Sequence, residues 1–212
     1  MKVCEIFTSI QGESTFAGLP CTFVRLSVCN LRCVYCDTKY SYGEGIEMQI
    51  DDIVQRVDSE GVRLVEITGG EPLLQEEETI LLIRKLLDKG YEVLVETNGS
   101  MNISGLDKRA TIILDMKTPC SAMSDKMDFT NLEILKKTDE VKFVICSRDD
   151  YEWSKKIVSQ YGLEKRCKVL FSPCFGILQP RDLASWVIED RLQVRLNIQI
   201  HKYIFDPRKR GV

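Results

Sequence analysis

The sequence predicts an α/β protein, an open, partial βα barrel on a mostly parallel sheet, and three observations lead there. Strand-like runs alternate with helix-like runs along most of the chain, the order that generates parallel sheets. Polar motifs rich in Cys, Gly, Asn or Pro follow four successive strands, and the loops after strand C-termini form the working face of βα folds. The 212 residues fall short of the roughly 250 typical of a complete eight-unit barrel.

The N-terminus, Met1-Lys2-Val3-Cys4-Glu5, is strand-like at once and carries no apolar stretch of signal-peptide type, so the cytoplasm is the expected compartment. The first barrel strand is read at Cys21 to Val28. Arg63 to Thr68 and Tyr91 to Glu96 are the next two, and the segment between them reads as a helix, making a βαβ unit. That helix opens on Glu76, Glu77 and Glu78, where the macrodipole favours acid, continues with Ile80, Ile83 and Leu87 at helical spacing, and stops at Gly90. Further strands are expected at Thr111 to Asp115, Glu140 to Cys146 and Lys168 to Ser172, with a last one through Val194, Leu196, Ile198 and Ile200. Asp149-Asp150 is an N-cap signal for a helix with Tyr151, Trp153, Ile157 and Tyr161 on its apolar face, and another helix follows Pro180. No repeat or linker interrupts the chain, so a single domain over 1–212 is expected.

A composition of 44% hydrophobic and 29% charged residues, with no apolar run near the roughly 20 residues of a membrane span, describes a globular chain without a membrane helix. The net charge of −3 argues against a phosphate-neutralising surface, and nucleic acid is not an expected partner. Nine cysteines, an odd number, make no disulfide framework. Six of them, Cys4, Cys21, Cys120, Cys146, Cys167 and Cys174, are scattered and read as small buried hydrophobes.

The other three lie together in Cys29-Asn30-Leu31-Arg32-Cys33-Val34-Tyr35-Cys36, a C-x3-C-x2-C loop directly after a strand. A closed zinc site needs four donors, and this loop supplies three, leaving one metal position open. A structural zinc completed by Cys21 or His201 is the alternative, although zinc ribbons repeat a C-x2-C pair that is missing here. Gly69-Gly70-Glu71-Pro72, Thr97-Asn98-Gly99 and Met116-Lys117-Thr118-Pro119 follow the next three strands, so four loops face one pocket. Glycines at 69 and 70 would let the backbone approach a ligand and its carbonyls accept from an ammonium.

The cysteine loop followed one βα unit later by Gly-Gly-Glu-Pro resembles the radical S-adenosylmethionine (SAM) superfamily, so the expected barrel is of that type. The resemblance implies that Cys29, Cys33 and Cys36 hold three irons of a [4Fe-4S] cluster and that SAM chelates the fourth. One electron then cleaves a carbon–sulfur bond of SAM and yields a 5′-deoxyadenosyl radical; the cofactor carries that chemistry while the protein binds and orients. A narrower resemblance rests on Glu5-Ile6-Phe7-Thr8-Ser9-Ile10-Gln11-Gly12-Glu13, Ala17-Gly18-Leu19-Pro20, Phe23-Val24-Arg25, Cys36-Asp37-Thr38, and the ending His201-Lys202-Tyr203-Ile204 with Arg210-Gly211-Val212. These segments are similar to the 7-carboxy-7-deazaguanine synthases. That family contracts 6-carboxy-5,6,7,8-tetrahydropterin to 7-carboxy-7-deazaguanine with loss of ammonia, on the route to queuosine, and regenerates SAM. The reaction is redox-neutral overall, in accord with a single cysteine set.

Carried over by motif, the resemblance implies cofactor contacts from Tyr35, Cys36, Asp37, Gly70, Glu71, Asp115, Met116, Lys117 and Ser172. It implies pterin contacts from Ile10, Gln11, Gly12, Glu13, Arg25, Thr68 and His201. Arg25 also interrupts an apolar strand, where a guanidinium is costly unless it meets an anion, and a substrate carboxylate is the natural partner. Thr38 would bind Mg2+ together with substrate oxygens, because one hydroxyl suffices when substrate and water complete the octahedron. A one-electron donor of flavodoxin or ferredoxin type and a homodimer are the implied partners. The rivals are a glycyl-radical enzyme activase, which shares both motifs but needs a broad groove for a protein substrate, and a metal-binding interaction module.

Overall fold

The computed structural model describes all 212 residues. Nine strands form one sheet: β1 (Lys2–Ile10), β2 (Pro20–Leu26), β3 (Ile46–Glu47), β4 (Leu64–Gly69), β5 (Glu92–Thr97), β6 (Thr111–Met116), β7 (Glu140–Ile145), β8 (Lys168–Pro173) and β9 (Arg195–Leu196). Their order is β3-β1-β2-β4-β5-β6-β7-β8-β9. Pairing is parallel from β2 through β9, while β1 runs antiparallel to both β2 and β3. The edge strands β3 and β9 do not meet, so the barrel stays open, as expected.

The helices are α1 (Ile50–Glu60), α2 (Glu76–Asp88), α3 (Asn131–Ile134), α4 (Arg148–Tyr161), α5 (Leu163–Arg166), α6 (Pro180–Glu189) and α7 (His201–Ile204). Alternation along the strands divides the sheet into two faces. Val65 and Ile67 of β4 join Ile53 and Val57 of α1, Leu82 and Leu86 of α2, Tyr151 and Ile157 of α4, and Leu183 of α6 in a core of 36 buried residues. On the opposite face only Cys21, Phe23, Leu64, Leu94 and Ile113 pack as a buried apolar cluster. That small cluster is the floor of the site, and the C-terminal halves of the same strands are polar above it.

Three expectations are corrected and one helix is added. The last strand is not the long run Val194 to Ile200 but the two-residue β9: the Asn197 amide still donates to β8 at Phe171 O (2.9 Å), but the Ile200 amide donates to Gly12 O (2.9 Å). That second bond carries the chain off the sheet and over the N-terminal loop, and His201 opens a helical turn instead of ending a strand. The first barrel strand ends at Leu26, since Val28 adopts φ 73°, outside extended geometry. Helix α4 is capped by Ser147, whose side chain accepts from the Asp150 amide at 3.2 Å; Asp149 and Asp150 fill the first turn. Helix α1, with Ile53, Val54 and Val57 buried, was not anticipated, although its spacing is helical.

Candidate active site

Gly69 and Gly70 are needed where two strand ends cross. A Cβ on Gly70 would stand 1.8 Å from Val28 O, and one on Gly69 would stand 2.2 Å from Leu26 O. The Gly70 amide donates to Leu26 O (3.0 Å) and the Glu71 amide to Val28 O (2.8 Å). The glycines therefore seat the segment that enters the cysteine loop, so their first contact is that backbone. Glu71 is wholly buried and accepts from Leu73 N (3.0 Å), Thr97 Oγ1 (2.7 Å) and Asn98 N (2.7 Å). Its carboxylate ties the loops after β4 and β5 together, and Asn98 in turn reaches Cys29 Sγ (3.7 Å) and Asn30 Oδ1 (3.0 Å).

These loops enclose a cavity of ≈ 570 Å³ over the polar end of the sheet. Of the residues assigned from sequence, Ile10, Gln11, Gly12, Glu13, Arg25, Cys29, Cys33, Tyr35, Cys36, Asp37, Thr38, Thr68, Gly70, Asp115, Lys117 and His201 all line it. Glu71, Met116 and Ser172 do not. Met116 is buried in the large core, and the Ser172 hydroxyl accepts from Asn197 Nδ2 (2.9 Å).

A charged layer lies beneath the cavity, in which Glu66, Glu96 and Lys142 join the expected Glu13, Asp115 and Lys117. Lys142 of β7 bonds to Glu13 (2.9 Å) and Glu96 and stands 3.4 Å from Asp115, while Lys117 pairs with Asp115 at 2.8 Å. Thr68 donates to Glu96 (3.0 Å), Gln199 to Glu13 (2.7 Å) and Gln11 to Glu66. Burial alone would depress both lysines, but the carboxylates around them, Glu13 and Glu96 for Lys142 and Asp115 for Lys117, hold both ammoniums above their ordinary values. Burial and then the nearby Glu96 push Glu66 well above the usual carboxylate range. The available signal was a charged residue inside a strand that is otherwise apolar: Glu66 between Val65 and Ile67, and Lys142 between Val141 and Phe143.

Arg25 does meet an anion, but within the protein: Nε donates to Glu5 at 2.8 Å, leaving the two terminal nitrogens without a protein partner. The C-terminal segment closes the remaining side. His201 packs where a Gly12 side chain would be, 1.8 Å from a notional Cβ. Lys202 pairs with Asp37 at 2.7 Å, and Pro207, Arg208 and Val212 line the cavity. Arg210 stacks 3.7 Å from the Tyr40 ring centre and bonds to Glu44 at 2.8 Å.

The Radical SAM superfamily model matches residues 24–163. The 7-carboxy-7-deazaguanine synthases of Koribacter versatilis and Chlorobaculum tepidum are each 43% identical to this chain, covering all of it and 100% and 97% of their own lengths. The chain belongs to the 7-carboxy-7-deazaguanine synthase family. A crystal structure of QueE from Escherichia coli superposes with a TM-score of 0.78 at 21% identity over 93% of each chain, which shows the shared fold.

As a radical SAM protein, this family member uses a [4Fe-4S] cluster and SAM, and its residues fit both. Cys29, Cys33 and Cys36 are free thiols on the cavity wall. They do not form a compact single-ion site, because the one triad of Cys, His, Asp or Glu donors within 4.8 Å of one another is Cys120, Cys146 and Asp150. Cys21 lies in the apolar floor and His201 on Gly12, so neither completes a zinc site with the loop. Burial pushes the Cys29 and Cys33 thiols up, and iron would have to displace their protons. Asp115 Oδ1 is buried without a hydrogen-bond partner on the cavity wall, an acceptor suited to a cationic or hydroxylated ligand.

Proposed function

We propose that the chain contracts 6-carboxy-5,6,7,8-tetrahydropterin to 7-carboxy-7-deazaguanine with loss of ammonia, in queuosine biosynthesis. The carrying observation is one cavity lined both by the three cluster thiols and by Gln11, Glu13 and Arg25. Cluster and SAM, when bound, supply one-electron cleavage of a carbon–sulfur bond and hence hydrogen abstraction.

The chain's own residues bind and orient. The free terminal nitrogens of Arg25 take the substrate carboxylate in a bidentate pair. Ile10 and Gly12 line the pterin edge, Gln11 and Thr68 bond to it, and Glu13, its charge held by Lys142, accepts from the exocyclic amine. Glu66, whose neutral form is favoured by burial, offers its carboxyl group to the substrate. His201 closes the pocket against water. Tyr35, Cys36 and Asp37 flank the adenosyl group, and the Gly70–Glu71 backbone receives the SAM ammonium. Asp115 and Lys117 hold the polar end of SAM, whereas Met116 and Ser172 shape that wall from behind. Thr38 holds Mg2+ with substrate oxygens; because Lys202 neutralises Asp37, the ion depends on substrate for its remaining ligands.

A flavodoxin- or ferredoxin-type donor is inferred to approach the outer side of the cysteine loop, where Val34 is 65% exposed. One domain over 1–212 acting as a cytoplasmic homodimer completes the reading. No helix is long and apolar enough to cross a membrane. A cavity of ≈ 570 Å³ is of the size that suits a small molecule, which favours the pterin over the protein substrate of an activase. The test is anaerobic reconstitution with iron and sulfide, then reductant, SAM, Mg2+ and the carboxylated tetrahydropterin, with products read by mass spectrometry. Formation of 7-carboxy-7-deazaguanine is expected; SAM cleavage without that product would reject the substrate assignment.

A further inference from the structure

Three of the six cysteines read as scattered lie on neighbouring loops at one end of the sheet. Cys120 lies in the single 3-10 turn Pro119–Ser121 after β6, and Cys146 and Cys174 directly follow β7 and β8. Ile145 is paired with Pro173, so one further step along these parallel strands sets Cys146 beside Cys174. The Cys174 amide donates to Ile145 O at 2.8 Å. The sulfurs of Cys120 and Cys146 and a carboxylate oxygen of Asp150 lie within 4.8 Å of one another. None of the three is in a disulfide.

Asp150 is 1% exposed. Its Oδ1 accepts from the Cys120 amide and its Oδ2 from the Cys146 amide, both at 3.0 Å, so it positions two of the thiols while keeping lone pairs free on both oxygens. Ligating carboxylates are commonly braced in this way. The group sits at the N-terminus of the 14-residue α4, where negative charge is favoured. Two thiols and a carboxylate within 4.8 Å of one another, with Cys174 on the neighbouring strand end to supply a fourth donor, are the donor types of a site for a borderline-soft ion without redox chemistry.

We propose that Cys120, Cys146, Cys174 and Asp150 form a second metal site that takes Zn2+ and fastens the loops after β6, β7 and β8 along one wall of the cavity. Binding releases three thiol protons to solvent, so affinity weakens in acid.

The test uses the Cys29→Ala/Cys33→Ala/Cys36→Ala chain, which cannot bind a cluster, titrated with Co2+ as a coloured stand-in and then with Zn2+. One equivalent of Co2+ with thiolate charge-transfer absorption is expected, displaced by Zn2+ and weakened at least about tenfold by a further Cys146→Ser. Absence of that absorption, or its persistence in Cys146→Ser, overturns the site. A second measurement needs no substitution: in the wild-type chain, Zn2+ should slow alkylation of the exposed Cys120 by at least about tenfold, read by peptide mass spectrometry. Unchanged alkylation, or a Cys146–Cys174 disulfide in anaerobically purified protein, would equally reject it.

Discussion

Glu66 and Ile67 are neighbours in β4 and serve opposite faces of the sheet, one in the charged layer under the cavity, the other in the apolar core beneath the helices. Ile67 touches only carbon-rich neighbours and lowers the free energy of folding by leaving water. Glu66 is equally withdrawn from water, but burial works against its charge, and it is held by Gln11. The pair teaches that burial stabilises on one face and is a standing cost on the other, where a substrate would be bound.

Lys142→Met is the severest challenge to that contrast. It leaves Glu13, Glu96 and Asp115 without their shared cation, so a loss of about 3–5 kcal/mol is expected, read by urea denaturation. A variant as stable as wild type would show that the layer does not depend on its lysine. Ile67→Ala should cost about 2–5 kcal/mol through cavity creation, yet at a temperature where it remains folded its turnover should match wild type. If turnover collapsed instead, the two faces would not be separable.

Glu66→Gln should act in the opposite direction. Folded Glu66 retains its proton to higher pH than the unfolded chain does, so the folded state binds more protons in that window. Stability therefore falls as pH rises above the ordinary carboxylate range, by up to about 1.4 kcal/mol per pH unit for one group. The glutamine variant should lose that slope, becoming more stable at neutral pH while catalysing less well; an unaltered stability–pH profile would remove Glu66 as the source. Thr38→Ala should be smallest in stability, within about 0.5 kcal/mol, because its hydroxyl bonds only to the adjacent Asp37 (3.0 Å). Its effect should appear as a weakened Mg2+ response with cluster content unchanged, and a wild-type Mg2+ dependence would disprove the metal role.

How legible each part was depended on how far apart its residues lie. The cysteine loop, Gly-Gly-Glu-Pro and the βα rhythm occupy consecutive residues, and their spacing alone signals metal binding, backbone crossing and a parallel sheet. Long-range packing overrode the strand pattern of Val194 to Ile200, because docking over Gly12 satisfies backbone groups that a longer β9 would have left on an edge. The cost of an unmatched Arg25 was readable, but its partner was not: Glu5 comes from an antiparallel strand whose register no local pattern specifies.

By itself the sequence determined the class of fold, the presence of a three-thiol loop with an open metal position, and the four loops that would surround it, since each follows from short-range periodicity or spacing. Only the tertiary structure decided that Glu66, Glu96, Asp115 and Lys142 from four strands make one charged layer, that the C-terminal segment closes over Gly12, and that Cys120 and Cys146 converge on Asp150 with Cys174 alongside. Sheet register sets those distances, and register is a property of paired strands that no single strand carries.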